Sequence, residues 1–511
     1  MARAIECQSP RQDPFAVLGL GGREVIACNS SMQLCCRRHI SWRAAPSASP
    51  ANGDQEATVT QEHSSPPGGG ASSAAVRKAT LRKITLRMMP ILMLGYFVSY
   101  LDRINISFAK FGLTESFGLS ATGYGFAAGI FFLGYILFEV PSNLILHRVG
   151  ARIWISRIMI TWGIIAAAIG FVPGTTWLYV MRFLLGVAEA GFFPGIILYL
   201  ARWYPAQERS KAIAMLMTAI PLASALGGPV NGWILSAFEQ VWGLEGWRWL
   251  FIIGGLPAVV LGVLFLLLLA DSPDRARWLN EAERKWLSQT LAAEEVERRK
   301  AAPLGRWEVF RNGRVLVLTL VYFLLLCGAY PLTYWMPSVV KDIGQNLSSV
   351  QVGLISAAPF AAAAVAMYVT GRLIGRRHNS VVPTAVALAI SVVAFVATAV
   401  NLDSPMIAFA AITVATMAAQ TAKPLFWGLP TAYLSGAAAA SGIALINSLG
   451  NLAGFISPYA VGWIKDASGG SNSLPMTVMV LANVLALVAV VALGLRSARR
   501  STAVEPVLDR G

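Results

Sequence analysis

Residues 88–111 read MMPILMLGYFVSYLDRINISFAKF, an apolar run long enough to cross a bilayer that carries an acid and a base at its centre, Asp102 and Arg103. A charge at bilayer depth costs about 2.5–3.5 kcal/mol or more, so such residues usually face a bundle interior or a water-filled path. Arg182 and Glu189 lie in a second run, and Lys423 lies in a third. These five residues predict a protein that moves a charged solute across a membrane.

The composition of the chain also indicates a membrane protein. Of its 511 residues, 56% are hydrophobic and only 13% are charged, whereas about 25% of a soluble domain is charged. Apolar stretches of about 20 residues recur twelve times. Their approximate centres are Val98, Phe132, Ala166, Glu189, Ala223, Ala258, Leu325, Ala363, Val393, Thr416, Gly450 and Ala486. We therefore predict an all-α membrane protein with twelve transmembrane helices, numbered here as spans one to twelve.

The short loops that alternate along the chain differ in their content of Lys and Arg. The basic set comprises Arg77, Lys78, Arg82, Lys83, Arg87, Arg148, Arg152, Arg202, Arg209, Lys211, Arg372, Arg376, Arg377, Arg496, Arg499 and Arg500. The opposite loops carry Glu115, Glu239, Glu245 and Asp403 instead. Basic loops stay in the cytoplasm, so we expect a multi-pass protein of the cell inner (plasma) membrane with both termini cytoplasmic. The net charge of +15 is spread over many loops, which argues against nucleic acid as a partner.

The N-terminal region differs in composition from the rest. Residues 1–74 are rich in Ser, Pro, Ala and Gly and are predicted to be a disordered extension. A translation start further along the chain, at Met32 or near Arg77, is one alternative. An organelle transit peptide is another, although the six acidic residues of this region argue against it.

The remaining chain divides into two halves. We predict a six-helix bundle over 75–270, a polar cytoplasmic connector with amphipathic helical character over 271–314, a second bundle over 315–497 and a cytoplasmic tail over 498–511. Span five ends in Gly-Trp-Ile at 232–234 and span eleven repeats the same triplet at 462–464. Duplicated halves place a substrate site at their interface near the bilayer midplane.

Five segments together resemble the major facilitator superfamily, and within it the anion:cation symporter family. They are SYLDRINISFA at 99–109, GYILFEVPSNL at 134–144, HRVGAR at 147–152, RFLLGVAEAGFFPG at 182–195 and IALINSLGN at 443–451. The likeness extends from about Arg77 to Arg500 and is strongest to bacterial tartrate transporters, with phthalate, nicotinate and sugar-acid carriers close behind. It implies two pseudo-symmetric six-helix bundles and proton-coupled uptake of small organic anions. His147-Arg148 departs from the Asp-Arg that is common there, which weakens a gating role for that loop.

Helical geometry separates the tasks of the two charges in span one. Neighbours at i and i+1 point away from each other, so Asp102 shares a face with Asn105 and Arg103 shares one with Ser107. Arg103 offers a forked donor that matches a carboxylate and stays charged when buried, whereas Asp102 can titrate.

The same reasoning applies to the two charged residues of span four. Arg182 and Glu189 lie seven residues apart, about 10 Å along the axis, so each is expected to reach a partner on another helix, first of all span one. The resemblance implies that Arg103 and Arg182 bind substrate and that Asp102 and Glu189 couple protons. The alternative for the pair in span four is a structural network that holds the helices together.

Other residues match cavity-lining positions of the resembled family. These candidate substrate contacts are Tyr135, Trp427, Asn447 and Asn451, whose polar groups and aromatic faces suit a hydroxy acid or an aromatic acid. Packing or an interfacial belt is the alternative for Tyr135 and Trp427. Lys423 is a further candidate for substrate contact, with snorkelling as its alternative. Glu139 receives no role.

The sequence thus predicts a secondary active transporter that imports a small organic anion, tartrate-like or a related hydroxy or aromatic acid, by proton symport. The alternatives are an organic-anion exchanger, a sodium-coupled carrier of the same fold, and a non-transporting membrane sensor. The expected partners are the anion, protons and the lipid bilayer, with the protein a monomer. We expect no enzyme activity, cofactor or metal site, since the chain has no phosphate-binding Gly-rich segment and no metal-ligand spacing.

Overall fold

The computed structural model describes residues 69–300, 311–344, 346–374, 380–433, 436–471 and 473–502. These residues contain no β-strand and form sixteen α-helices. The helices are α1 Gly69–Phe117, α2 Ala121–Val149, α3 Ala151–Ile169, α4 Thr175–Glu189, α5 Phe192–Ala201, α6 Ala206–Met217, α7 Ala219–Ala237, α8 Gly246–Leu268, α9 Glu281–Lys300, α10 Gly313–Ile343, α11 Ser349–Ile374, α12 Val381–Val400, α13 Pro405–Tyr433, α14 Gly436–Gly450, α15 Ala453–Ala467 and α16 Ser473–Thr502. Short 3-10 turns at Val241–Gly243 and Pro273–Arg275 complete the described helical structure.

The predicted spans correspond to these helices. Eleven helical segments of the described chain are long and apolar enough to cross a membrane. Span four joins α4 to α5, and span five joins α6 to α7. Span eleven consists of two 15-residue helices, α14 and α15, which are separated by Asn451 and Leu452. The all-α fold class predicted from hydropathy is confirmed.

The two predicted halves pack against each other along glycine-lined seams. Span two meets span eleven where a Cβ on Gly125 would collide with the carbonyl oxygen of Pro458, and span five meets span eight where Gly228 and Gly353 face each other's carbonyl oxygens. Small residues of this kind let helix backbones approach closely in membranes. Both seams lie toward one end of the bundle, which we name the far side. The opposite end, where span one begins and span twelve ends, is the termini side.

Helix α9 begins with a capping box and contacts span one on the termini side. Asn280 Oδ1 accepts the N–H of Glu283 at 2.8 Å, and the Glu283 carboxylate accepts the N–H of Asn280 at 3.0 Å. Glu283 also pairs with Lys83 of span one at 2.7 Å. Burial by itself raises the pKa of Glu283, but the hydrogen bonds from Lys83 and Asn280 outweigh it and hold the pKa below its usual value.

Two boundaries differ from those that composition predicted. Helix α1 begins at Gly69, inside the predicted extension, because the Ala- and Ser-containing residues that follow continue the helix of span one. Helix α16 runs to Thr502, into the predicted tail. The predictions for residues 1–68, 301–310 and 503–511 and for Arg376 and Arg377 lie outside the described residues.

Candidate functional site

A buried ion pair between spans one and four forms the centre of the site. Arg103 donates twice to one oxygen of Glu189, from Nε at 2.9 Å and from Nη2 at 2.6 Å. Ser99 Oγ donates to the same oxygen, Oε1, at 2.7 Å. The Glu189 side chain is 0% exposed and that of Arg103 is 15% exposed. Glu189 Oε2 has no hydrogen-bond partner among the described residues, so one oxygen receives all three donors.

The backbone of span four breaks directly after Glu189. Helix α4 ends at this residue, Ala190 has an extended ψ of 130°, and Gly191 has a left-handed φ of 85°. Ser142 of span two closes the break by donating its hydroxyl to the carbonyl oxygen of Ala190 at 2.6 Å. Glycine suits this position because a Cβ on Gly191 would clash with the Ser142 hydroxyl. The break therefore fixes the end of α4 that presents Glu189 to span one.

Arg182 is anchored differently from the prediction that it reaches span one. Its Nε donates to the carbonyl oxygen of Ala127 at 3.1 Å and its Nη2 to that of Ala128 at 3.4 Å, both in span two. Its guanidinium also lies 5.2 Å from the centre of the Phe131 ring. Among the described residues no acid lies within ion-pair distance of Arg182, and its Nη1 has no hydrogen-bond partner.

Asp102 is buried on the other side of span one, at 1% exposure. A Cβ on Gly254 of span six would lie 3.6 Å from Asp102 Oδ1, and the same glycine faces the Asn105 amide. Neither carboxylate oxygen of Asp102 makes a hydrogen bond within the described chain, nor does the indole N–H of Trp162. An ionised carboxylate in such surroundings is costly unless a partner or a proton neutralises it.

Aromatic rings enclose the guanidinium of Arg103. The rings of Tyr100, Phe131 and Tyr135 lie with their centres 5.3, 5.4 and 5.3 Å from Arg103 Cζ. Cation–π contacts of this kind stabilise a desolvated cation without neutralising its charge. Tyr135, a predicted substrate contact, therefore belongs to this cluster.

Tyr330 of span seven links the predicted residues of the second half to the same region. Its hydroxyl donates to Asn451 Oδ1 at 2.9 Å, and Lys423 Nζ lies 5.7 Å from the centre of its ring. The Tyr330 ring contacts Phe132 of span two at 4.9 Å between centroids, which joins the two halves. Asn447 lies one turn before Asn451 on span eleven and is half-buried.

Trp427 packs beside this region. Its ring meets Tyr322 of span seven at 5.0 Å in an edge-on arrangement. The structure thus gathers Asp102, Arg103, Arg182, Glu189 and Tyr135 in the first half, and Lys423 and Asn451 around Tyr330 in the second.

Sequence reasoning missed several residues of the site. Tyr330, Ser99 and Phe131 were not predicted, although Tyr330 and Tyr334 are spaced four apart and therefore share one face of span seven. Glu139 received no role, and it accepts a hydrogen bond from Ser448 of span eleven at 3.2 Å. This bond connects the two halves on the termini side of the Arg103 cluster.

Comparison with known proteins identifies the family. The family model described as Major Facilitator Superfamily matches residues 92–458. The chain belongs to the major facilitator superfamily. It is 49% identical over 395 residues to a protein of Agrobacterium vitis named "Putative tartrate transporter", covering 76% of this chain and 89% of the relative. It is 42% identical over 400 residues to the "Putative metabolite transport protein NicT" of Pseudomonas putida, covering 78% and 90%.

The fold agrees with solved structures of the same kind. The xylose transporter XylE from E. coli, in a partially occluded inward open conformation, superposes with a TM-score of 0.63 at 18% identity and covers 80% of this chain and 97% of its own. The resemblance drawn from the sequence motifs is confirmed. The chain is a multi-pass membrane transporter of the major facilitator superfamily and not an enzyme.

Proposed function

We propose that this transporter imports a small organic anion, a tartrate-like dicarboxylate or a related hydroxy or aromatic acid, together with protons. The names of the relatives support the substrate class. The Lys and Arg bias of the loops supports an inner-membrane protein with both termini cytoplasmic, so that the far side faces outward. We further propose a monomer, with the two six-helix halves and the connector as the functional parts.

One observation carries the coupling mechanism. Two N–H donors of Arg103 point at a single oxygen of Glu189, so the cation that would hold a substrate carboxylate is held by an acid. A substrate carboxylate needs the same forked donor. Protonation of Glu189 weakens its hold on Arg103 and frees the guanidinium for the anion. Loss of that proton restores the competing carboxylate and expels the substrate.

The charge balance of the cluster supports the same scheme. Asp102, Arg103, Arg182 and Glu189 sum to zero when all four are ionised. Protonation of both acids leaves two positive charges, which matches a dianion, and Lys423 beside Tyr330 can add a third. Substrate binding and proton binding then strengthen each other by the same factor, as linkage requires.

Asp102 can take a proton without breaking an ion pair. Its two oxygens have no partner among the described residues, and it faces spans three and six instead of the second half. We assign Asp102 and Glu189 to the coupled protons and Arg103 to the anion, with Tyr135, Asn447, Asn451, Trp427, Lys423 and Arg182 shaping the substrate site.

The test is uptake of labelled tartrate into proteoliposomes, with and without an inward proton gradient. We expect accumulation that the gradient drives, and that Arg103→Ala abolishes. Asp102→Asn and Glu189→Gln, made separately, should each abolish gradient-driven accumulation, and accumulation that survives in both variants would contradict the scheme. Uptake stimulated by sodium alone, obligatory exchange, or binding without flux would each favour a rival function. If tartrate is not taken up, the same vesicles are screened with phthalate, nicotinate and galactonate.

A further inference from the structure

Lys110 is a second cation on the substrate-facing stripe of span one. It follows Arg103 by seven residues, so it lies on the same helix face about 10 Å closer to the far side. Its Nζ donates to Ser338 Oγ at 2.9 Å and lies 4.3 Å from the centre of the Trp335 ring. Ser338 and Trp335 belong to span seven, so Lys110 bridges the two halves.

The charge of Lys110 is not matched by an acid. Within the described chain no carboxylate pairs with it, and its neighbours are a hydroxyl and the rings of Trp335, Tyr124 and Phe111. The acids nearby are engaged with other groups. Asp342 pairs with Lys465 at 3.1 Å, and Asp466 accepts two N–H groups at the start of span two. Lys341 adds a further cation, 4.0 Å from the centre of the Phe111 ring.

The contacts of Lys110 join the two halves, so they must break when alternating access opens the far side. Substrate reaches Arg103 from the far side only when the glycine seams between the halves open there. Lys110 moves with the first half, whereas Ser338 and Trp335 move with the second, so opening separates them. The ammonium is then bare beside the path to Arg103. Because their positions differ by about 10 Å along the helix axis, the two cations suit two successive carboxylate positions on the path from the far side.

We propose that Lys110 is a carboxylate-binding site on the far-side entrance path, which receives the substrate anion before Arg103 does. When the far side closes, the hydroxyl of Ser338 and the ring of Trp335 take the place of the carboxylate. This inference rests on the proposed transport of an organic anion. It adds a second binding site for that anion, which acts when the anion enters from the far side.

The test compares entry from the two sides. Labelled substrate uptake is measured in intact cells, where it enters from the far side, and in everted membrane vesicles, where it enters from the termini side, at low and high ionic strength. Lys110→Met removes the charge and keeps the length of the side chain, and Lys110→Arg keeps the charge. Ser338→Ala is the matched control, since it removes the closed-state hydrogen bond and leaves the cation.

We expect Lys110→Met to raise the KM for far-side entry about tenfold relative to the KM for termini-side entry. It should also reduce the decrease in far-side kcat/KM with increasing salt concentration, because the charge that salt screens in the wild type has been removed. Lys110→Arg should retain the wild-type salt dependence, and so should Ser338→Ala. Equal loss in both directions, or an unchanged salt dependence in Lys110→Met, would overturn the proposal and make Lys110 a brace between the halves. If the wild type itself transports none of the acids, the proposed function fails first.

Discussion

Replacement of Glu189 by Gln tests the competition at the centre of the site. The change preserves the size of the side chain and leaves an oxygen that Ser99 and Arg103 can still contact, but it removes the negative charge that holds Arg103. We expect substrate binding to become tighter and less dependent on pH, because only Asp102 still titrates, while proton-driven accumulation is lost. Exchange of substrate across the membrane should persist, because binding and conformational change do not need this proton.

The size of the effect follows from the contacts. A hydrogen bond that involves a charged group contributes about 1.5–3 kcal/mol, and the substrate must displace two such bonds from the same guanidinium. They share one acceptor oxygen and are not additive, and Gln retains part of the interaction. A net release of about 1.5–3 kcal/mol corresponds to about a tenfold to hundredfold fall in Kd. The side chains of Arg103 and Glu189 are almost fully buried, so solvent screening reduces this free energy only slightly.

The assay measures Kd by calorimetry between pH 5.5 and 8, and both counterflow and gradient-driven uptake in proteoliposomes. Ser99→Ala is the matched control, because it removes the third, neutral donor from the same oxygen and keeps both charges; its pH dependence should stay close to that of the wild type. A Glu189→Gln protein that binds substrate more weakly, or that still accumulates substrate against a gradient, would refute the reasoning. Glu189 would then be a structural partner of Arg103.

Two further predictions concern the seams and the connector. Gly125→Ala places a methyl group against the carbonyl oxygen of Pro458, so we expect uptake to fall at least tenfold at normal membrane expression, with no such loss in Gly174→Ala, where a Cβ meets nothing within 4 Å. Glu283→Gln keeps an acceptor for the capping box but removes the ion pair with Lys83, so it should cost about 0.2–1 kcal/mol of stability, seen as a lower thermal midpoint in detergent at pH 7. Because the folded pKa of Glu283 is depressed, this advantage of the wild type is present above the ordinary glutamate pKa and disappears as pH falls through the folded value. Glu281→Gln, exposed in the same turn, is the control.

Hydropathy and charge predicted the spans because both depend on local sequence. A membrane demands about 20 apolar residues per helix, and that requirement is visible without knowing how helices pack. The different directions of Asp102 and Arg103 also follow from local helix geometry, and the structure agrees: Arg103 meets Glu189, and Asp102 faces Gly254.

The parts of the site that the sequence did not predict depend on the register between helices. That Arg182 would donate to the carbonyl oxygens of Ala127 and Ala128 cannot be predicted from residue types, because every residue carries a carbonyl. It required knowing that spans two and four pack closely where a Cβ on Gly186 would meet the Phe131 carbonyl. The role of Tyr330 as the link to Asn451 and Lys423 likewise arises from three spans meeting in space.

The position of Asp102 allows coupling without contact between proton and substrate. Asp102 lies beside Gly254 of span six, whereas Arg103 pairs with Glu189 of span four, so we expect a substrate on Arg103 not to touch the Asp102 carboxylate. In a medium of effective dielectric 20, two unit charges about 4 Å apart interact by about 4 kcal/mol, and the energy falls in inverse proportion to distance, so even at about three times that separation it changes affinity about tenfold. Electrostatic repulsion of the anion by an ionised Asp102 is therefore sufficient to link the two binding events. This electrostatic part of the coupling would then survive changes of substrate size that alter the contacts to Tyr135 or Asn451, and Asp102→Asn would abolish it.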